Sequence, residues 1–374
     1  MKIYQKFCTV IQKSKIMPLT GLLVGGLGLA ASAGAASAQS ADFSGKRIEA
    51  VVPFGEGGGA DTYTRYMARV LAPKLPGEPT IVIRNIPGGG SVNGANWFEA
   101  NAAKDGTHFA VASTSTTLTS TLRSTDPNIQ FKPEGWIAFI GSPMGKVIYV
   151  HSQTGIKNVE GLKDYKGELL MGLQNPTGSD MPTLLSLELL GVNVKPVLGT
   201  DGGDQHLGFQ RGELTLNADV TSAYKQMAQP LIDAGTAVPL FTMGYADANG
   251  EIVRDPNFPD LPSWVEAYEI IHGKKPSGTE YDAWLALFHL SVMSSKALVL
   301  PAGTPEDVVA AYNAAAADLV EDKDFKAESG EFIGTYPQLT GEAARKSLVT
   351  ATSITPEARK WVTDWLKQRF KIDL

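Results

Sequence analysis

Apolar and polar positions along this chain fall into two alternating series of short strands and amphipathic helices. In the first, IEAVVPF (residues 48–54) is a continuous apolar run of strand length. DTYTRYMARVLAPKL (61–75) carries Tyr63, Tyr66, Met67, Val70 and Leu71 at helical spacing. TIVIRN (80–85) predicts a second strand, PGGGSVNGANWFEANAAKDG (87–106) a turn and helix, and THFAVAST (107–114) a third strand. The second series starts near Lys166. GELLMGLQ, VNVKPVL, ELTLNADV and TAVPLFTM read as strands, separated by helices within residues 176–191, 204–212 and 224–235. Alternation of this kind predicts parallel sheets with helical crossovers, here in two α/β lobes.

The remaining pattern is mostly helical. A charged, proline-rich stretch, DANGEIVRDPNFPDLP (247–262), reads as a surface loop or hinge. Helical segments follow at 264–271 and 281–293, then the strand KALVLPAG (296–303). A helix from 305 to 320 with Thr304 as its cap and a terminal helix in TPEARKWVTDWLKQRF (355–370) complete the chain. One lobe is expected to comprise residues 42–147 and 247–374, the other 148–246, with the chain crossing at 141–150 and returning at 244–262.

The N-terminus breaks the pattern. Lys2, Lys6, Lys13 and Lys15 precede LTGLLVGGLGLAASAGAASA, which ends Ala36-Ser37-Ala38, and no acid occurs before Asp42. This predicts a secretory signal peptide over 1–38, cleaved after Ala38, and hence a periplasmic protein. Without those four lysines, 29 basic residues face 39 acidic ones, a net charge of −10. Such a balance argues against nucleic acid or an anionic membrane as partner. The single cysteine, Cys8, leaves with the leader, so thiol nucleophiles, Zn–Cys sites, Fe–S clusters and disulfides are excluded from the mature chain.

Open α/β sheets place ligands at the carboxyl ends of strands, where helix N-termini begin. That rule selects residues 54–62, 85–93, 113–117, 175–180 and 199–204, all rich in Gly, Ser, Thr and Asn. Backbone N–H groups and hydroxyls there make anion sites without a basic side chain. Asp61 and Asp180 are read first as helix N-caps, and Asp201-Gly202-Gly203-Asp204 as a solvated turn, not a metal loop. Gly55, Gly57 and Ala60 fit the G-x-G-x-x-A form of a dinucleotide fingerprint, which makes an exported NADP-type oxidoreductase a competing reading. Its second strand, however, ends in Arg84-Asn85 and lacks the acid that takes a ribose hydroxyl. No G-x-S-x-G elbow occurs and the five histidines show no H-x-x-x-H pair.

Several motifs together resemble the periplasmic substrate receptors of tripartite tricarboxylate transporters, the Bug receptors. They are Val52-Pro53-Phe54, then Gly58-Gly59-Ala60-Asp61 and Arg65; Asn85-Ile86-Pro87-Gly88-Gly89-Gly90-Ser91-Val92-Asn93-Gly94; Asp105-Gly106-Thr107; Leu261-Pro262 with Glu266; and Pro301-Ala302-Gly303-Thr304-Pro305. The resemblance spans nearly the whole mature chain. It implies a two-lobed α/β periplasmic binding protein (a Venus flytrap, type II-like), each lobe a mixed or parallel sheet flanked by helices. It also implies a monomeric, non-enzymatic receptor without cofactor or metal, which traps a small carboxylate and hands it to membrane transporter subunits. A sensor subunit presenting a carboxylate to a membrane kinase would share that chemistry. The implied ligand-binding residues are Phe54, Gly57, Gly58, Gly59, Asp61 and Thr62 in the first lobe and Thr177, Gly178 and Ser179 in the second. Ser113, Thr114, Thr200, Gly202 and Gly203 join them from the other strand-end loops. Residues 197–203 (VLGTDGG) and Gly212-Glu213-Leu214-Thr215 depart from the family pattern, leaving room for an enlarged pocket and a bulkier or aromatic carboxylate.

Overall fold

The computed structural model describes residues 41–247 and 249–372; the expected leader and its cleavage site lie outside them. Among the described residues, thirteen strands form two mixed sheets and a small ribbon. The first sheet takes β1 (Arg47–Val52), β2 (Thr80–Asn85), β3 (His108–Ser113) and β4 (Ile137–Ser142). The second takes β5 (Lys146–His151), β6 (Leu169–Leu173), β7 (Val194–Leu198), β8 (Leu216–Val220) and β9 (Ala237–Thr242). The ribbon pairs β10 (Tyr245–Ala246) with β11 (Ile252–Val253), and β12 (Lys296–Leu300) and β13 (Leu339–Thr340) return to the first sheet.

The spatial orders are β13-β4-β12-β3-β1-β2 and β7-β6-β8-β5-β9. β1 runs parallel to β2 and β3, and β6 parallel to β7 and β8, through helical crossovers as the alternating pattern predicts. Among the described strands of these sheets three run the other way: β12, β5 and the short edge strand β13, which is antiparallel to β4. β12 is antiparallel to β3 and β4, and β5 is antiparallel to β8 and β9. Each therefore brings its first residue to the end of the sheet where the parallel strands finish.

The chain passes from the first sheet to the second through Pro143-Met144-Gly145, between β4 and β5. The core of the second sheet is the larger. Met171, Leu184 and Phe241 pack with Trp264 of helix Trp264–His272, Trp284 of helix Thr279–Phe288, and Val362 and Leu366 of helix Pro356–Phe370. Trp264 and Trp284 stack 3.9 Å apart, and both indoles end on Ser186: Trp284 Nε1 donates to its hydroxyl (2.7 Å) and Trp264 Nε1 to its carbonyl (2.9 Å). These three helices, expected with the first sheet, lie against the second. Their apolar faces join one cluster with helix Met181–Leu189, helix Val159–Asp164 and β9.

Other differences are local. Residues 247–262 are no plain surface loop, because they hold β11 and the fully buried Asp255. Thr304 does not cap the following helix: Pro305 takes the N-cap position and the Thr304 hydroxyl donates to Pro301 O (2.8 Å). No described helix is long and apolar enough to cross a membrane.

Candidate functional site

The helix after β1 starts at Gly59, with Gly58 as an extended N-cap lacking a side-chain partner. Its first N–H groups have no acceptor within the helix and point toward the gap between the sheets. Asp61 is thus the third residue of the helix, in its first turn, and not its N-cap. The carboxylate folds back beneath the glycine loop, where Oδ2 accepts from Gly57 N (2.9 Å) and Arg65 Nε (2.9 Å) and Oδ1 accepts from Asn85 Nδ2 (2.9 Å). Asn85 also donates to Phe54 O (3.0 Å), so the end of β2 props up the loop that follows β1.

The glycines do their work against the opposite sheet. A Cβ on Gly55 would collide with Asp201, and one on Gly59 with Val220. A Cβ on Gly202 would lie 2.9 Å from the Cα of Gly58. At the next loop, where Gly88, Gly89 and Gly90 all have positive φ, a Cβ on Gly90 would fall on the amide of Asn175. The glycines of both loops thus serve close approach to residues of the second sheet's half. Arg84 is engaged as well, bonded to Glu49 (3.1 Å) with its guanidinium 4.1 Å from the Trp97 ring centre.

Between these contacts lies a cavity of about 70 Å³. Common ligand pockets hold roughly 300–1,000 Å³, so this cleft is nearly shut. Beside it, a more open hollow of about 420 Å³ is lined by Gly199, Thr200 and Asp201 of the divergent 197–203 segment together with Phe54, Gly89 and Asn175. Glycine at 202 lets the start of helix Gly202–Gln210 close up on Gly58, and Asp201, expected in a solvated turn, caps that helix through Gly203 N (3.0 Å) and Asp204 N (3.2 Å).

Of the residues singled out from sequence, Phe54, Gly58, Gly59, Ser113, Thr114, Ser179 and Gly202 line this cavity. Gly57, Asp61 and Gly203 border a separate surface hollow, and Thr200 another. Thr62 is buried behind the loop, 3.4 Å from the Ser222 hydroxyl. Thr177 is turned inward to Asn175 Oδ1 (3.0 Å) and Thr119 (3.4 Å). Gly178 lies against Ser115 and Asn175. Even Ser179 has its N–H committed, to Ser115 Oγ (2.8 Å). The Thr177-Gly178-Ser179 loop is therefore held by the hydroxyl-rich helix Thr114–Leu122, and its expected donors are largely spent.

Apart from Asp180, the charged part of the lining went unread in the sequence. Lys146, the first residue of β5, and Lys296, the first of β12, reach the cavity from the two sheets and are only 6% and 5% exposed. Asp180, Asp219, Gln174 and Gln205 complete the wall. Lys146 Nζ donates to Ser179 O (2.8 Å). Burial pushes its ammonium down, opposed by the charges of Asp180 and Asp219. Asp180 stands at an N-cap position but makes no capping bond; it accepts from Gln174 N (3.2 Å) and Gln205 Nε2 (3.2 Å). Asp219 is anchored from behind by Tyr149 OH (2.5 Å), which also accepts from Asn217 Nδ2 (2.8 Å). His206 Nε2 lies 3.1 Å from Asp219 Oδ1 at ion-pair range, without the alignment of a hydrogen bond. Burial opposes the imidazolium, but the charge of Asp219 outweighs it and holds the ring's pKa above its ordinary value.

Lys296 differs from all of these. No hydrogen bond or ion pair reaches it among the described residues. Burial, with repulsion from Lys146 added, brings its pKa down to about 7.

No protein-family model matches the chain, and no curated protein does. Solved structures do match. The periplasmic binding protein BugD aligns at 20% identity over 87% of this chain and 97% of its own, with a TM-score of 0.63. MatC of Rhodopseudomonas palustris, solved with bound malate, aligns at 22% over 86% and 99%, with a TM-score of 0.61. An R. palustris protein solved with adipate aligns at 18% over 86% and 96%, with a TM-score of 0.64. The chain has the two-lobed α/β fold of these periplasmic binding proteins.

Proposed function

We propose that the chain is a solute receptor that takes a small carboxylate into the cleft between its two sheets and closes on it. The observation that carries this reading is the shared cavity. Each sheet contributes a glycine-lined helix start and one buried lysine to the same small space. Such an arrangement attracts an anion from both sides. Affinity then depends on bringing both halves together, the usual economy of a hinged binding protein. The hinge in this reading is Pro143-Met144-Gly145 with the return path after Thr242, and the moving bodies are the two sheets with the helices packed on them.

The comparisons support the same reading, since one neighbour of this fold holds malate and another adipate. We extend it to the biological setting: a periplasmic, non-enzymatic receptor that delivers its carboxylate to a tripartite tricarboxylate-type membrane transporter.

A thermal-shift screen of mono-, di-, tri- and aromatic carboxylates tests the core of this. A ligand at 100 times its Kd adds about 2.7 kcal/mol of apparent stability, a plain upward shift in Tm. Stabilisation by at least one aliphatic acid is the expected result. A flat response across the panel would overturn the reading.

A further inference from the structure

Lys146 and Lys296 are the two buried cations lining the cleft, and they are unequally provided for. Lys146 has a carbonyl acceptor and two carboxylates in its surroundings. Lys296 is buried, lines the cavity and has no partner among the described residues. An unpaired ammonium out of water is costly, and the cost disappears when an anion is brought to it. Opposite it, Gly59 and Ala60 line the same cavity at the start of a 13-residue helix whose first N–H groups are free. A lysine is a compact point charge with three donors, and no acceptor is supplied for any of them.

We propose that Lys296 is the charged seat of the ligand, pairing with one carboxylate between itself and the N-terminus of helix Gly59–Leu71, and that anion binding at neutral pH takes up a proton onto its amine. The inference rests on the receptor reading above and gives it a specific residue. The groups facing this seat are Lys146 from β5, Asp219 from β8 and Asp180 at the start of helix Met181–Leu189, with His206 behind Asp219. Lys146 is balanced by the two aspartates, so the charge deficit falls on Lys296. Its pKa of about 7 in the unliganded cleft leaves a large fraction neutral at physiological pH. A carboxylate selects the protonated form. Charge also couples to closure: the two ammonium groups come from different sheets and repel until an anion lies between them.

The test is isothermal titration calorimetry of the full mature chain with acetate, succinate, malate, adipate and citrate. The tightest of these is then titrated between pH 6 and 9 in two buffers of different ionisation enthalpy. Wild type is expected to take up a proton above pH 7, its Kd rising about tenfold per pH unit there. Lys296→Met is expected to fold, to bind at least 100-fold more weakly, and to lose the proton uptake. Lys146→Met, which removes the repulsion but not the burial of Lys296, should move the uptake to higher pH without abolishing it. If Lys296→Met binds as wild type does, or wild type binds without proton uptake across this range, the seat is wrong while the receptor reading stands. If wild type binds none of the five acids, both fall together.

Discussion

Gly58 and Gly202 meet across the cleft with no side chain between them, and a Cβ on Gly202 would stand 2.9 Å from the Cα of Gly58. Backbone this close is possible because Gly202 carries no Cβ. The geometry is not symmetric. A Cβ on Gly58 would rest at 3.6 Å from the Cα of Gly202, an ordinary contact. Gly202→Ala is therefore expected to hold the two halves apart and weaken carboxylate binding by about tenfold, or ~1.4 kcal/mol. Gly58→Ala should change Kd by no more than about twofold. Calorimetry on the two variants checks this, and equal effects would mean that closure does not bring these backbones together.

Much of this was legible in the sequence, and the part that was not has a physical cause. The strand-helix alternation from Arg47 to Ser113 and from Leu169 to Val220 was plain, as were the glycine loops after β1 and β2. The rule that ligands sit at carboxyl ends of strands then led to Phe54, Ser113 and Thr114, which do line the cavity. It led past the lysines because it presumes parallel strands. KVIYVH and KALVL each open with a lysine that reads as the solvated edge of an apolar run. Both strands are antiparallel to their neighbours, which places those first residues in the cleft beside Val220, Ser113 and Ser142. Direction of a strand is a long-range property, and no local pattern near Lys146 or Lys296 encodes it. Asp255 escaped for a similar reason: its partner Tyr336 lies 81 residues away, and its own surroundings are rich in proline and charge.

Burial of Lys296 predicts how unliganded stability depends on pH. Its folded pKa of about 7 lies below the ordinary lysine value of 10.5, so the unfolded chain binds more protons between those limits. Stability attributable to this group therefore rises as pH climbs from about 7 toward 10.5. Urea unfolding of the unliganded protein at pH 7 and pH 9.5 should show a higher midpoint at the higher pH. Lys296→Met should raise the midpoint at pH 7 and flatten the difference. A wild-type midpoint that falls over this range, with no change in the variant, would contradict the burial of a lone ammonium.

Asp61 is a structural post under the glycine loop. Its carboxylate takes three donors, from Gly57, Arg65 and Asn85, while its side chain is 3% exposed. Asp61→Ala leaves the part-buried Gly57 N–H and Asn85 amide without an acceptor, at a cost of about 1–3 kcal/mol. Arg65→Ala removes one donor from the same carboxylate at a half-exposed position and should cost well under half as much, about 0–1 kcal/mol. Urea midpoints for the two variants give the ratio. Near-equal losses would indicate that the ion pair with Arg65, and not the loop amides, is what Asp61 serves.

At the crossing between the sheets, Gly145 lies against a buried chain of hydroxyls and one carboxyl. Tyr336 OH donates to Asp255 Oδ2 (2.6 Å) and lies 2.8 Å from Thr221 Oγ1, and Thr221 N donates to Gly145 O (3.0 Å). A Cβ on Gly145 would collide with both Asp255 and Tyr336. Gly145→Ala is thus expected to break this cluster and lower Tm by several degrees. Burial holds the Asp255 carboxyl above the ordinary carboxylate pKa, against the lowering effect of its hydrogen bonds. The folded state then keeps that proton longer than the unfolded chain does. Its contribution to stability is fullest below about pH 4, near the unfolded carboxyl value, and is lost as pH rises through the folded value. Asp255→Asn, which keeps an acceptor for Asn257 N and cannot ionise, should flatten that fall. Thermal unfolding of wild type and Asp255→Asn from pH 4 to 7 measures it. Parallel profiles would mean that Asp255 ionises in the folded hinge as freely as it does in water.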